Sequence, residues 1–402
     1  MTVTPAPRSR ELIAVFAILM ATVALSIDVM LPALGDMATE LSFAEGNARQ
    51  WVIILVFLGL SAGQLIFGPL SDAIGRKPAI AIGAGLFTLG SLGCALSSSF
   101  EMLLLFRFLQ GLGAAGPRLV TIAMIRDRFS GAEMARVLSI IMGIFIMVPV
   151  LGPTIGQGLL FLMPWRGLFA VIAAVCVIGV VWLSFRQPET LATRRPLRFH
   201  ILAAALREVI TDRRAMAFTG AAGLCYGAVM GYVNASQQVF QEIYAAGDLY
   251  APLFGAAAAF ISAATITNSR LVRRIPMERI CRHAVQALTG WSALFAIVLT
   301  LTNGLPSLWL FMGFNAVALF FLGLTFGNFQ SIALENLGHV AGLASAVTMS
   351  LTNLVGMATA GLIGLRLADT LWPLAIGFAL SGVLAYALMG LAAPRVKGNA
   401  RT

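Results

Sequence analysis

The feature that most constrains this chain is a recurring block of about 20 apolar residues, long enough to cross the ~30 Å hydrocarbon layer as a helix. We count twelve such blocks, at 12–34, 51–70, 78–98, 102–125, 137–160, 165–185, 215–238, 251–268, 284–302, 308–332, 341–364 and 371–393. Only helices and closed barrels satisfy their backbone polar groups in lipid. Strict apolar–polar alternation is absent, so helices are expected rather than a barrel. Of the 402 residues, 59% are apolar and 11% charged. The expectation is an all-α polytopic membrane protein with twelve transmembrane helices.

The net charge of +10 does not indicate nucleic-acid binding, because the charges are sorted by side rather than gathered in a patch. Arg49, Arg166 and Arg366 would lie outside, Arg107 and Arg118 within the membrane, and the other Lys and Arg in segments assigned to the cytoplasm. Both termini are therefore expected to be cytoplasmic. Cys94, Cys176 and Cys225 fall inside apolar spans and Cys281 in a basic loop, which implies no disulfide framework. Leu12–Ile27 has the apolarity of a signal peptide but lacks a clean cleavage site before a soluble domain.

The longest hydrophilic stretch, 186–214, carries seven arginines against Glu189, Glu208 and Asp212. It divides the chain into an N-terminal six-helix bundle (1–185), a cytoplasmic linker (186–214) and a C-terminal six-helix bundle (215–402). The string "FHILAAALREVI" in the linker has helical periodicity and is expected to lie along the membrane surface. Two six-span halves joined by a basic linker are the outline of a repeat-built transporter.

Asp28 is the only acid inside a span, where a carboxylate costs roughly 2.5–3.5 kcal/mol on insertion scales. By helical rise Asp28 and Arg107 share a depth, while Arg118 lies ~16 Å further along span 4. An acid and a base at one depth are expected partners, either as a switchable pair or as a fixed structural one. Arg118 reads as an inner gate, an anion contact, or a side chain snorkelling to water. In span 7, Tyr232, Asn234, Gln237 and Gln238 suit either substrate orientation or interhelical hydrogen bonding. In "GPLSDAIGRKP", between spans 2 and 3, Gly75 suits a tight turn and Asp72 a helix start. In span 5, Gly152 and Gly156 have the GxxxG spacing of close helix approach, and Pro149 and Pro153 are expected to kink the helix. The small-residue string "FGAAAAFISAA" of span 8 suits such an approach.

These strings carry a resemblance. "GPLSDAIGRKP" resembles the loop 2–3 signature of the major facilitator superfamily, and "RFLQGLGAA", from Arg107, the span-4 signature of its proton-coupled members. "GIFIMVPVLGPTIGQG", from Gly143, is similar to the span-5 signature of drug:proton antiporters. "IDVMLPAL", containing Asp28, and "LGHVAGLASAV", from Leu337, resemble the Bcr/CflA branch. Two features depart from the pattern: Gln157 follows Gly156 where paired glycines are usual, and Arg118 is an additional buried cation.

The resemblance implies alternating access and proton-driven export of a small lipophilic compound across the cell inner membrane. Asp28 and Arg107 would couple to protons. Asp28, Gln110, Arg118, Tyr232, Asn234, Gln237 and Gln238 would meet substrate. Gly68, Asp72, Gly75 and Arg76 would form a conformational latch, and Gly143, Gly152, Pro153 and Gly156 the packing motif of span 5. Export of a specific metabolite or siderophore, and proton-coupled uptake, are the alternatives. The expected partners are substrate, protons and the lipid bilayer, with the protein a monomer, no cofactor or metal, and no nucleic acid. No HExxH or Walker A string appears, which leaves zinc hydrolysis and ATP-driven pumping unsupported.

Overall fold

The computed structural model describes residues 9–42, 48–129, 131–191, 193–194, 199–367 and 369–392. Eleven helices long and apolar enough to span a bilayer are present among them. They are α1 (Glu11–Glu40), α2 (Arg49–Ile74), α3 (Arg76–Ala95), α4 (Phe100–Arg128), α6 (Trp165–Arg186), α7 (Arg213–Ile243), α8 (Tyr250–Leu271), α9 (Met277–Leu301), α10 (Leu308–Ala333), α11 (Gly342–Gly364) and α12 (Trp372–Ala392). The 30-residue helix α5 (Gly131–Leu160) completes the set at the fifth position. The chain is an all-α polytopic membrane protein of the expected class.

Helix starts follow local chemistry. The Ser99 side chain accepts from Met102 N at 3.2 Å, and the Asp212 carboxylate from Ala215 N at 2.8 Å, each satisfying a backbone donor that the first turn leaves free. Side chains such as Leu89, Ile178, Leu294 and Leu362 remain exposed on outward faces, as a lipid-solvated surface requires.

Within the first half, α4 packs on α2 and α3, α6 on α3, and α1 on α5 and α6. Within the second, α7 packs on α11 and α12, α9 on α12, and α8 on α10. The halves meet chiefly through α2 with α11 and α5 with α8. Counting six spans per half, these two seams exchange places when the halves are swapped, the pattern of a two-fold repeat.

Several expectations change at this level. Span 1 is not one continuous helix: regular α-helix ends at Asp28, a 3₁₀ turn covers Leu31–Ala33, and helix resumes at Leu34. Pro32 lacks a backbone donor, which favours a break there. Span 4 contains a wide π turn at Gly116–Val120, and span 7 ends in another at Gln238–Ile243. Helix α5 runs without interruption through Pro149 and Pro153. Helix α9 starts at Met277, so Cys281 is a buried helical residue and not part of a loop. The linker helix Phe199–Thr211 also has a protein partner: Val209 is fully buried with Ala344 and Val347 of α11.

Candidate functional site

The break in α1 begins just after Asp28, whose carboxylate is buried. Asp28 is 5% exposed and has no hydrogen bond or ion pair among the described residues. Its backbone is braced by α5. A Cβ added at Gly152 would lie 2.6 Å from Asp28 Cβ, and one at Gly156 would lie 1.9 Å from the Val29 carbonyl oxygen. The GxxxG face of span 5 therefore closes on the interruption in α1, and α8 also packs on α5. Pro153, beside Gly152, is buried, and Gly143 lies further back on the same helix. From the second half, Tyr226 of α7 and Tyr250 of α8 are within electrostatic range of Asp28. Tyr226 also feels Arg118, and its ring meets Phe57 of α2 edge-on at 6.0 Å. Arg118 sits half-buried in the π turn of α4, and such turns recur at functional sites.

Arg107 is not the direct partner of Asp28. No ion pair joins them among the described residues, although they share the expected depth. The fully buried guanidinium donates through Nε to the Val52 carbonyl (2.9 Å) and through Nη1 to the Ser26 carbonyl (3.0 Å) and Gln110 Oε1 (2.6 Å). Its carbon lies 5.6 Å from the Phe169 ring centroid. Ser26 is two residues from Asp28, so Arg107 holds the backbone that presents the acid. Free carbonyls near the end of the regular α1 helix explain the preference: they are strong acceptors that nothing in the helix satisfies. Gln110, also fully buried, donates to Ser91 Oγ (2.8 Å) and orients Arg107, so no face of it is open to substrate.

The polar group of span 7 is divided. Tyr232 is 2% exposed, its ring stacked on Phe254 at 5.8 Å and edge-on to Phe240, which makes it part of the second half's core. Asn234 is 5% exposed with no hydrogen bond on either amide atom among the described residues. Gln238 is half-buried in the terminal π turn. Gln237 accepts from Arg49 Nη1 (3.0 Å) and donates to Gln241 (2.9 Å). Arg49 also pairs with Glu242. Arg49 heads α2 in the first half and Glu242 lies on α7 in the second, so this cluster ties the halves together on the face away from loop 2–3.

Midway down the seam, Ser350 donates to the Ser61 carbonyl (2.9 Å), and Asn353 reaches Gln64 (3.4 Å). Below these contacts the halves part around a cleft of about 810 Å³, lined by Gly68, Asp72, Leu119 and Ile122 on one side and Gln330 and Met349 on the other. Among the described residues, the Arg49 cluster joins the halves on one face, and the cleft lies between them toward loop 2–3.

Loop 2–3 is a fixed network. Asp72 lies in the last turn of α2, not at a helix start. Arg76 bonds Asp72 (2.6 Å), Ser71 (2.8 Å) and Asp127 of α4 (2.9 Å). Gly75 has φ +112°, a conformation disfavoured for residues with a Cβ. A Cβ there would also lie 2.7 Å from Glu189. The Glu189 carboxylate caps α3 by accepting from Arg76 N (3.0 Å) and Lys77 N (3.1 Å). Burial pushes this carboxyl up, but the backbone donors of Leu191, Lys77, Arg76 and Thr190 outweigh it and hold it below its ordinary range. Glu189, Asp127 and the Arg49–Glu242 pair are not evident from the sequence. The only local signal is Asp127 itself, an acid set between Arg126 and Arg128 in a basic segment.

No cluster of metal-ligating residues is present among the described residues. The Major Facilitator Superfamily model matches residues 16–361. The chain is 30% identical over 381 residues to the uncharacterized MFS-type transporter YdgK of Bacillus subtilis, covering 93% of this chain and 94% of that one. It is 28% identical to the bicyclomycin resistance protein homolog of Haemophilus influenzae over 87% of each chain. It is 32% identical to the multidrug resistance protein MdtL of Salmonella heidelberg over 54% of this chain and 55% of that one. The crystal structure of the human organic anion transporter MFSD10 (TETRAN) superposes with a TM-score of 0.63 at 16% identity, covering 96% of this chain and all of that one, which is a likeness of fold.

Proposed function

The chain belongs to the Major Facilitator Superfamily, and from that premise we propose that it exchanges protons for small lipophilic drugs or toxic compounds by alternating access. Asp28 would carry the proton. The observation that carries this reading is the position of Asp28: a buried carboxylate without an ion-pair partner among the described residues, at a helix interruption, within electrostatic range of tyrosines from the opposite half. A protonatable group there is sensitive both to what fills the interior and to which side is open. The closed Arg49–Glu242 face and the open cleft are consistent with an inward-open state if loop 2–3 is cytoplasmic. Names of relatives at about 30% identity, bicyclomycin and multidrug resistance proteins, support efflux.

The reading also takes residues 1–185 and 215–402 as the two rocking bundles and 186–214 as their linker. It has both termini in the cytoplasm and a monomer in the cell inner membrane. One charge crossing ~150 mV supports a gradient of roughly 300-fold for a neutral substrate. The test is Asp28→Asn in inside-out vesicles with an imposed pH gradient. Uphill drug transport should be lost while the folded protein remains in the membrane, and transport at the wild-type rate would exclude Asp28 as the proton carrier.

A further inference from the structure

The turns after α2 and α8 occupy equivalent places in the two halves, and their charges are treated in opposite ways. In loop 2–3, Arg76 is consumed by Asp72 and Asp127, and Lys77 Nζ donates to the Ser184 carbonyl (2.8 Å). In the turn between α8 and α9, Arg270, Arg273, Arg274, Arg279 and Arg282 are all exposed, and none has an ion pair among the described residues. Two acids nearby, Glu278 and Glu335, are both taken by Arg214 at the start of α7.

The turn is rigidly seated. Leu271 and Ile275 pack against Ile280 and Ala284, and the amides of Arg274 and Ile275 both donate to the Leu271 carbonyl at 2.9 Å. Its apolar residues are sorted accordingly: Ile275 faces inward, while Val272 and Met277 are exposed. Arg270 is one helical turn beyond Ile266, which is 58% exposed, and Arg279 shares a helix face with the exposed Ile297. The arginines therefore sit directly beyond the lipid-facing surfaces of α8 and α9, with apolar side chains between them.

We propose that the α8–α9 turn is a binding site for the headgroup of an anionic phospholipid in the leaflet on the loop 2–3 side. Its phosphate would lie among Arg270, Arg273, Arg274, Arg279 and Arg282, and its acyl chains along Val272, Met277 and the outer faces of α8 and α9. Charge sorting between membrane sides accounts for basic residues in such a loop. It does not account for five unpaired arginines on a fixed turn whose counterpart neutralises its own. Clustered arginines beside a membrane surface attract anionic lipid, and the guanidinium fork suits phosphate oxygens.

The experiment uses the purified full-length protein in neutral detergent. Thermal shift and native mass spectrometry are read on adding phosphatidylglycerol or cardiolipin, phosphatidylcholine, or inorganic phosphate at equal phosphate concentration. The anionic lipids should be retained and should raise the melting temperature. Phosphatidylcholine and inorganic phosphate should do neither. Arg270→Gln/Arg273→Gln/Arg274→Gln/Arg279→Gln should weaken anionic-lipid binding by about tenfold or more. Arg194→Gln/Arg207→Gln, which removes charge from the linker, should leave it unchanged. If the quadruple variant does not fold, Arg273→Glu gives the same readout with one change. Equal binding by the turn variant, equal loss in the linker variant, or equal protection by inorganic phosphate would each overturn the proposal. None of these readouts depends on drug transport, so the result stands apart from the proton-exchange reading.

Discussion

Gly156 of α5 lies against Val29 of α1 so closely that a Cβ on the glycine would come 1.9 Å from the Val29 carbonyl oxygen. One turn earlier, Gly152 touches the Asp28 side chain. The interruption that follows Asp28 is therefore held in place by a neighbouring helix with no side chains at the two contact points.

Replacing either glycine should push α1 away from α5. At Gly156 the clash is with backbone and has no flexible side chain to absorb it, so Gly156→Ala is expected to cost about 1–3 kcal/mol through overpacking. Gly152→Ala meets a side-chain carbon and should cost less. Thermal melts in detergent, paired with transport assays, check this order. A Gly156→Ala melt equal to that of the wild type would refute the close packing.

Arg107 should act through backbone carbonyls rather than through an ion pair. Arg107→Ala leaves the Ser26 carbonyl buried without a donor, at about 1–3 kcal/mol, takes a second donor from the Val52 carbonyl and opens a cavity. Arg107→Lys keeps a charge but cannot reach all three acceptors in the planar geometry of a guanidinium. The expected order of melting temperature and of transport is Arg, Lys, Ala. The double variant with Asp28→Asn separates the two models, because an ion pair would show a coupling energy and a carbonyl brace would show additive losses.

The Arg49–Glu242 contact should hold the face away from loop 2–3 closed. Glu242→Gln or Arg49→Ala is expected to increase labelling of cysteines introduced on that face several-fold and to decrease labelling within the cleft. The pair is partly exposed, so its worth is modest, about 1 kcal/mol or less, and high salt should mimic the mutation. Unchanged labelling on both faces would remove the pair from the gate.

Glu189 gives stability a pH dependence of defined sign. Its folded carboxyl titrates below the ordinary glutamate value of about 4.3. Its contribution is therefore complete above that value and is lost as pH falls through the lower, folded value. Melting curves between pH 3 and pH 7 should separate wild type from Glu189→Gln most at neutral pH and converge in acid. A constant difference over that range would show that the cap does not depend on the charge.

The amino-acid sequence alone determined the class, the number of spans and the position of the two most telling strings. Block length and apolarity are properties of contiguous residues, and lipid permits few answers to them. The depth shared by Asp28 and Arg107 was also legible, because helical rise converts residue number into distance. Tertiary structure decided what those residues touch. Depth says nothing about rotation around a helix axis, and only the packed arrangement turns Arg107 toward the carbonyls of Ser26 and Val52. The same holds for Gln110, which the family resemblance places near substrate and packing places behind Arg107. Tyr232 and Gln237 lie five residues apart on one helix, yet one enters the aromatic core and the other bonds Arg49 of the first half, because they face different neighbours. Glu189 is 113 residues from the Arg76 amide it caps. A contact at that separation has no periodicity or local motif to announce it, and it exists only because α6 returns the chain to the mouth of α3.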